Sequence, residues 1–220
     1  MAQALERLGE RWALLIVRDL LPGNLRFTDL LESCGGITPR QLSARLRQLE
    51  QDGIVEADRA TGRREVRYRL TAAGQALRPT VEAFFLWGIR HLDRPPAPDE
   101  PIRPYHILNG TRLAIASAGR EPSGPVRWAW RFPDESYTLR FDGGAWELNP
   151  GEDPDSEVVV ETTLRDWADF VATPGGSVRK RAIRLVGRPA RLREFTALFP
   201  RLAEDELARQ RGSSMRAGRP

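Results

Sequence analysis

Between Arg94 and Pro104 the chain reads Arg-Pro-Pro-Ala-Pro-Asp-Glu-Pro-Ile-Arg-Pro, five prolines in eleven residues. Each proline fixes its own φ, lacks an N–H and pushes the residue before it out of the helical region. The stretch can therefore enter neither a helix interior nor a sheet ladder. It reads as an extended, fairly stiff linker. A chain of 220 residues interrupted in this way must build two cores, one in residues 1–93 and one in residues 105–203. Residues 204–220, polar and glycine-rich, follow as an expected mobile tail.

Composition narrows the class without choosing a function. An apolar content of 40% with 29% charged residues describes ordinary globular material. No apolar run is long enough to cross a bilayer and no basic-then-apolar leader opens the sequence, so a cytoplasmic protein without membrane contact is expected. A single cysteine excludes an internal disulfide framework, and with His91 and His106 isolated there is no pattern for a metal site. The glycine loops, His-Glu-x-x-His spacing and nucleophile elbow of common enzymes are missing, so neither catalytic residues nor a cofactor is expected. The pI of about 9.9 is not evidence for nucleic acid. Arginines number 14 against 12 carboxylates up to Asp93, and basic residues 20 against 18 beyond it, a net +2 in each part. Position along predicted elements carries the signal instead.

The informative positions lie between Thr38 and Gly53. Thr38 is placed as an N-cap, Pro39 occupies the first helical position where a missing N–H costs nothing, and Gly53 falls just past the end. Leu42, Leu46 and Leu49 share one face at helical spacing. Arg40, Ala44, Arg47 and Gln51 share the opposite one, flanked by Ser43 and Gln48. Long donors beside a small alanine suit base edges, phosphates and a thymine methyl. The same pattern also describes a plain solvated surface helix, and its surroundings favour the first reading. Ile54–Asp58 and Val66–Leu70 alternate as strands around the tip Arg59-Ala60-Thr61-Gly62-Arg63-Arg64, a basic β-wing. Ahead of them, Ala2–Leu21 reads as one or two helices bent at Gly9, and Arg26–Leu31 as a short helix. Cys34-Gly35-Gly36-Ile37 is the turn between the paired helices.

These strings carry a family resemblance. Ala-Leu-Glu-Arg-Leu-Gly-Glu-Arg-Trp-Ala-Leu-Leu-Ile-Val-Arg-Asp-Leu-Leu-Pro-Gly, then Arg-Phe-Thr-Asp-Leu-Leu, Gly-Ile-Thr-Pro-Arg-Gln-Leu-Ser-Ala-Arg-Leu-Arg-Gln-Leu-Glu and Tyr-Arg-Leu-Thr-Ala-Ala-Gly resemble the HxlR family of bacterial winged-helix transcription regulators over about residues 2–92. The resemblance implies a homodimer on a pseudo-palindromic double-stranded DNA operator, with Thr38–Asp52 in the major groove and the wing at its edge. The expected DNA contacts are Arg26, Thr38, Arg40, Gln41, Ser43, Ala44, Arg47 and Gln48, with Arg59, Arg63 and Arg64 from the wing. Leu5 from the first helix and Val81, Phe84, Phe85, Gly88 and Leu92 from a helix opened by Pro79 are expected to form the dimer interface. Many members of the family carry a redox-active cysteine before the first helix. This sequence has Cys34 in the turn instead, which reads as a structural cysteine.

Beyond the linker, Tyr105–Ala118 reads as a helix. Strands follow at Val126–Phe132, Tyr137–Phe141, Ala145–Leu148 and Glu157–Thr162, then helices at Leu164–Ala172 and about 177–182. A strand at Ile183–Val186 and a helix from Ala190 through Phe199 complete an α+β layer. Element order, with Val-Val-Val-Glu-Thr-Thr-Leu-Arg-Asp-Trp-Ala-Asp-Phe-Val and Ile-Arg-Leu-Val-Gly-Arg-Pro-Ala-Arg-Leu-Arg-Glu-Phe-Thr-Ala-Leu-Phe, is similar to sterol-carrier-protein-like domains. That resemblance implies an apolar pocket for a hydrophobic small-molecule effector, with Trp128, Trp130, Trp146, Trp167, Phe170, Phe195 and Phe199 as candidate lining. Aromatic residues at such spacing are also ordinary core. The expectation is thus an α+β chain, an N-terminal winged helix-turn-helix followed by a small sheet domain with an apolar pocket, acting as a ligand-responsive regulator. A lipid carrier that uses its winged domain mainly to dimerise is the alternative.

Overall fold

The computed structural model describes residues 2–58, 65–92, 97, 101–172 and 182–199. Two compact units are present, one reaching Leu92 and taking in the run that ends at Arg103, the other from Pro104 onward. None of the described helices is long and apolar enough to cross a membrane.

The first unit runs α1 (Ala2–Leu8), α2 (Arg11–Leu20), β1 (Leu25–Arg26), α3 (Phe27–Cys34), α4 (Pro39–Gln51), β2 (Val55–Asp58), β3 (Arg67–Leu70), α5 (Ala72–Gln75) and α6 (Arg78–His91). Ala13, Ile16, Val17 and Leu20 make α2 the central rod, on which Leu30 of α3 and the three leucines of α4 close. Full burial of each such leucine is worth roughly 1.5–3 kcal/mol.

β1 went unread in the sequence because two residues show no alternation. Arg26 pairs with Arg67 and Leu25 with Tyr68, giving a three-stranded antiparallel sheet in the order β1-β3-β2. α3 consequently starts one residue later than expected, with Arg26 as N-cap and its backbone N–H bonded to Asp29 Oδ2 at 2.9 Å.

After β3, Thr71 ties the chain back to the end of α4. Its hydroxyl donates to the carbonyl of Gly53 at 2.6 Å and also accepts from Gly74 N–H. A Cβ at Gly74 would sit 2.2 Å from the Ile54 carbonyl oxygen, so only glycine fits that crossing.

The proline-rich segment departs from a plain spacer at its far end. Arg103 Nη2 donates to the Asp29 carbonyl at 2.9 Å, and Pro101 lies against Gly35. The last linker residues are thus fastened to the first unit. Residues 94–96 and 98–100 of the expected linker, the wing tip 59–64, most of the helix expected at 177–182 and the tail lie outside the described residues.

The second unit begins with α7 (Pro104–Ser117). It continues with β4 (Val126–Arg131), β5 (Ser136–Phe141), β6 (Trp146–Pro150), β7 (Val158–Thr162), α8 (Leu164–Ala172), β8 (Ile183–Gly187) and α9 (Pro189–Leu198). The sheet order is β6-β5-β4-β7-β8, antiparallel except for the parallel pair β4/β7. Alternation assigns one face to the core: Val126, Trp128 and Trp130 of β4 stand beside Phe141, Leu139 and Tyr137 of β5. Along the other face Arg131 bonds Glu152 and Glu161, and Arg184 shares Glu161.

Trp167, fully buried, donates its indole N–H to Thr111 Oγ1 at 2.9 Å, and Thr111 in turn donates to the Ile107 carbonyl. Thr111→Val keeps the shape but strands that N–H. A loss of about 1–3 kcal/mol is expected, read as a lower urea midpoint at unchanged m-value.

Candidate nucleic-acid interface

Helix α4 is shaped at its start by a reciprocal cap. Gln41 N–H donates to Thr38 Oγ1 at 3.2 Å, and Thr38 N–H donates to Gln41 Oε1 at 3.0 Å. Two of the helix's orphan donors are thereby satisfied. Its inward face is sealed by Leu42, Leu46 and Leu49, all at most 1% exposed. The period of the helix then leaves Arg40, Ala44, Arg47 and Gln48 in solvent, with Ser43 half-buried at the margin.

The arginines of this helix differ in their freedom. Arg45 is held by Glu10 and its side chain is only 17% exposed, whereas Arg40 and Arg47 make no ion pair among the described residues. Gln48 Nε2 contacts Asp52 Oδ2 at 3.3 Å, a weak tether that an incoming acceptor can replace. Two of the expected contacts are engaged elsewhere. The Gln41 amide oxygen is committed to the cap, and Arg26 forms a two-pronged contact with Glu65, Nε to Oε2 at 2.8 Å and Nη1 to Oε1 at 3.1 Å. Glu65 precedes β3 by two residues, and sequence reading had given it no role. Arg59, Arg63 and Arg64 fall outside the described residues, although β2 and β3 that lead to them are paired from Val55↔Leu70 to Asp58↔Arg67.

Behind the turn before α4, Cys34 is 5% exposed, with its Sγ 3.6 Å from Oδ2 of the buried Asp19, whose other oxygen takes Arg18 Nε at 2.8 Å. Burial, then the Asp19 charge, pushes the Cys34 thiol up to about 12. Such a thiol is a packed neutral group.

On the helices flanking α2, Leu5, Phe84, Trp87 and Leu92 are 54–61% exposed, while Val81, Phe85 and Gly88 are half-buried. Trp87 belongs to the same apolar surface of that helix, and its ring stacks on His91 with centroids 5.2 Å apart.

In the second unit the structure gathers all seven nominated aromatics into one cluster, six buried and Trp146 half-buried. They meet ring to ring, Trp128 with Phe195 at 5.0 Å, Trp130 with Trp167 at 5.4 Å and Phe195 with Phe199 at 5.0 Å. They serve as core. The indole N–H groups of Trp130 and Trp146 are nevertheless buried with no acceptor among the described residues. A surface cleft of this unit is charged, lined by Arg127, Arg140, Asp142, Asp155 and Glu157 among others.

Comparison with known proteins adds the relatives of this geometry. The HxlR-like helix-turn-helix family model matches residues 7–96. An uncharacterized HTH-type transcriptional regulator of Mycobacterium tuberculosis is 37% identical over 126 residues, which span 55% of this chain and 78% of that protein. The HTH-type transcriptional regulator YodB of Bacillus subtilis is 35% identical over 88 residues, 40% of this chain and 79% of YodB. Among solved structures, the redox regulator HypR in its reduced form is 32% identical with a TM-score of 0.40, covering 42% of this chain and 92% of that one.

The Cys34 environment sets a measurable outcome. An ordinary thiol near pKa 8.5 is about one-quarter thiolate at pH 8, whereas one near 12 is almost wholly neutral. Alkylation of Cys34 by iodoacetamide at pH 8 should be at least about 100-fold slower in the folded protein than in the urea-unfolded chain. The folded-state rate should still be climbing at pH 9.5.

Proposed function

We propose that this chain, which belongs to the HxlR-like helix-turn-helix family, is a sequence-specific transcription regulator that works as a homodimer. Helix α4 enters the major groove, with Arg40, Arg47 and Gln48 as the groups that reach bases or phosphates and Ala44 beside them. The observation carrying this reading is that a capped, core-anchored helix presents Arg40 and Arg47 to solvent with no ion pair among the described residues, while its neighbour Arg45 is tied down. Releasing an arginine from a local carboxylate costs binding energy, so unpaired arginines suit a partner of high negative charge. Arg26, bound to Glu65, contributes less. Gln41 acts through the cap instead of a base contact.

Dimerisation is assigned to the open apolar side chains Leu5, Phe84, Trp87 and Leu92, too large and numerous to remain comfortably in water. The second unit is read as a sterol-carrier-like effector domain. Its support is the one-sided sheet with an aromatic interior, together with the two buried indole donors on Trp130 and Trp146 that a ligand acceptor would satisfy. A ligand there shifts DNA affinity only through unequal binding to the DNA-competent and incompetent states.

Fluorescence anisotropy against the upstream duplex and a scrambled one at physiological salt tests the reading. A preference of about 10³-fold or more is expected, and equal weak binding to both would remove it in favour of the carrier alternative. Arg40→Ala or Arg47→Ala should each weaken specific binding by roughly 1–3 kcal/mol if it reads a base, or flatten the salt slope by about one if it holds a phosphate. Arg26→Ala should change either little. Trp87→Glu with Phe84→Glu should give monomers in sedimentation and lose cooperative operator binding. Native mass spectrometry should show a co-purified apolar molecule, or uptake of an apolar fluorescent probe, on the second unit; neither being found would discard the effector role.

A further inference from the structure

The turn between α3 and α4 contains two glycines that sequence alone treats as equivalent. They differ in the folded chain. Gly36, at φ +83°, has nothing within 4 Å of where a Cβ would stand, so it answers only to backbone conformation. Gly35, at φ +49°, would place a Cβ 2.5 Å from Cγ and 2.7 Å from Cδ of Pro101. Its missing side chain is the seat of a proline from 66 residues further along the sequence.

Two residues beyond that proline, Arg103 donates from Nη2 to the Asp29 carbonyl at 2.9 Å. That carbonyl belongs to the N-terminal part of α3, and Arg103's charge reaches Cys34 at the helix's other end. One short segment therefore grips both α3 and the turn that follows it. The grip lies three residues from Thr38, whose cap with Gln41 sets the start of α4. A charge-assisted bond to a backbone acceptor is among the stronger single contacts available to such a segment.

We infer that Pro101–Arg103 form a strap that positions the turn ahead of α4, with Arg103 as its positioning residue. The strap comes from outside the winged-helix elements and acts on the presentation of the helix without touching DNA. Its functional half rests on the reading of α4 as the DNA-contacting element; its structural half does not.

Cys34, the chain's single cysteine, sits immediately before Gly35 and reports on the strap. The experiment measures thiol labelling by a maleimide in native buffer for the full chain, Arg103→Met and Pro101→Gly. Arg103→Met keeps the aliphatic stem and removes the donors. Both variants should label Cys34 about tenfold faster, with rates flat in urea below the unfolding transition, the mark of local opening. Unchanged rates, or an acceleration that follows global unfolding in urea, would overturn the strap. The same variants should lose about three- to tenfold in affinity for the upstream duplex, the scale of one lost charge-assisted contact felt in part. Faster labelling with affinity intact would overturn the positioning role. A wild-type protein with no duplex preference would instead fail the α4 reading, leaving the labelling result to decide the strap.

Discussion

The burial of Leu42, Leu46 and Leu49 against α2 is the contact on which the first unit turns. Three side chains in a row of i, i+4 and i+7 fix the rotation of α4 about its own axis. Every other position on the helix is then assigned. Arg40, Ala44 and Arg47 face outward because the leucines face inward, and Arg45, at the boundary, finds Glu10. The cap at Thr38 and the Thr71 hydroxyl on the Gly53 carbonyl hold the two ends of the same rod. Moving one of these leucines to the outer face would disturb the presented surface as much as the core.

Much of this was legible in the sequence, and the reasons are local. Thr38, Pro39 and Gly53 act through backbone groups within a few residues, and the leucine spacing is a property of helical period alone. The alternation of β4 and β5 likewise announced which face carries Trp128 and Trp130. The pieces that stayed hidden depend on partners distant in sequence. β1 exists only because β3 lies beside it, and Arg26 is spoken for only because Glu65 arrives from the far side of the wing. Gln41 was expected as a DNA contact, since a side chain that folds back on its own helix start is not distinguishable by residue type from one that extends. Gly35 and Gly36 are adjacent, identical in type and unlike in purpose.

The second unit shows a different balance. Its sheet faces its helices on one side only, so the core must be assembled from one set of alternating residues, and large aromatics achieve that with few positions. Trp167 is integrated by a bond to Thr111 as well as by packing. Trp130 and Trp146 are held by packing, with no acceptor for their N–H groups among the described residues. Along the opposite face the polar groups pair with one another, Arg131 with Glu152 and Glu161, and Arg184 with Glu161.

Pro101 and Arg103 lie past residue 96, where the match to the family model stops. A fragment trimmed to that boundary would carry every element of the winged helix and still leave Gly35 facing an empty seat and the Asp29 carbonyl without its arginine. The unit as the family model bounds it and the unit that is mechanically whole thus end at different residues. A fragment cut at the family-model boundary would take the helix and leave its brace behind.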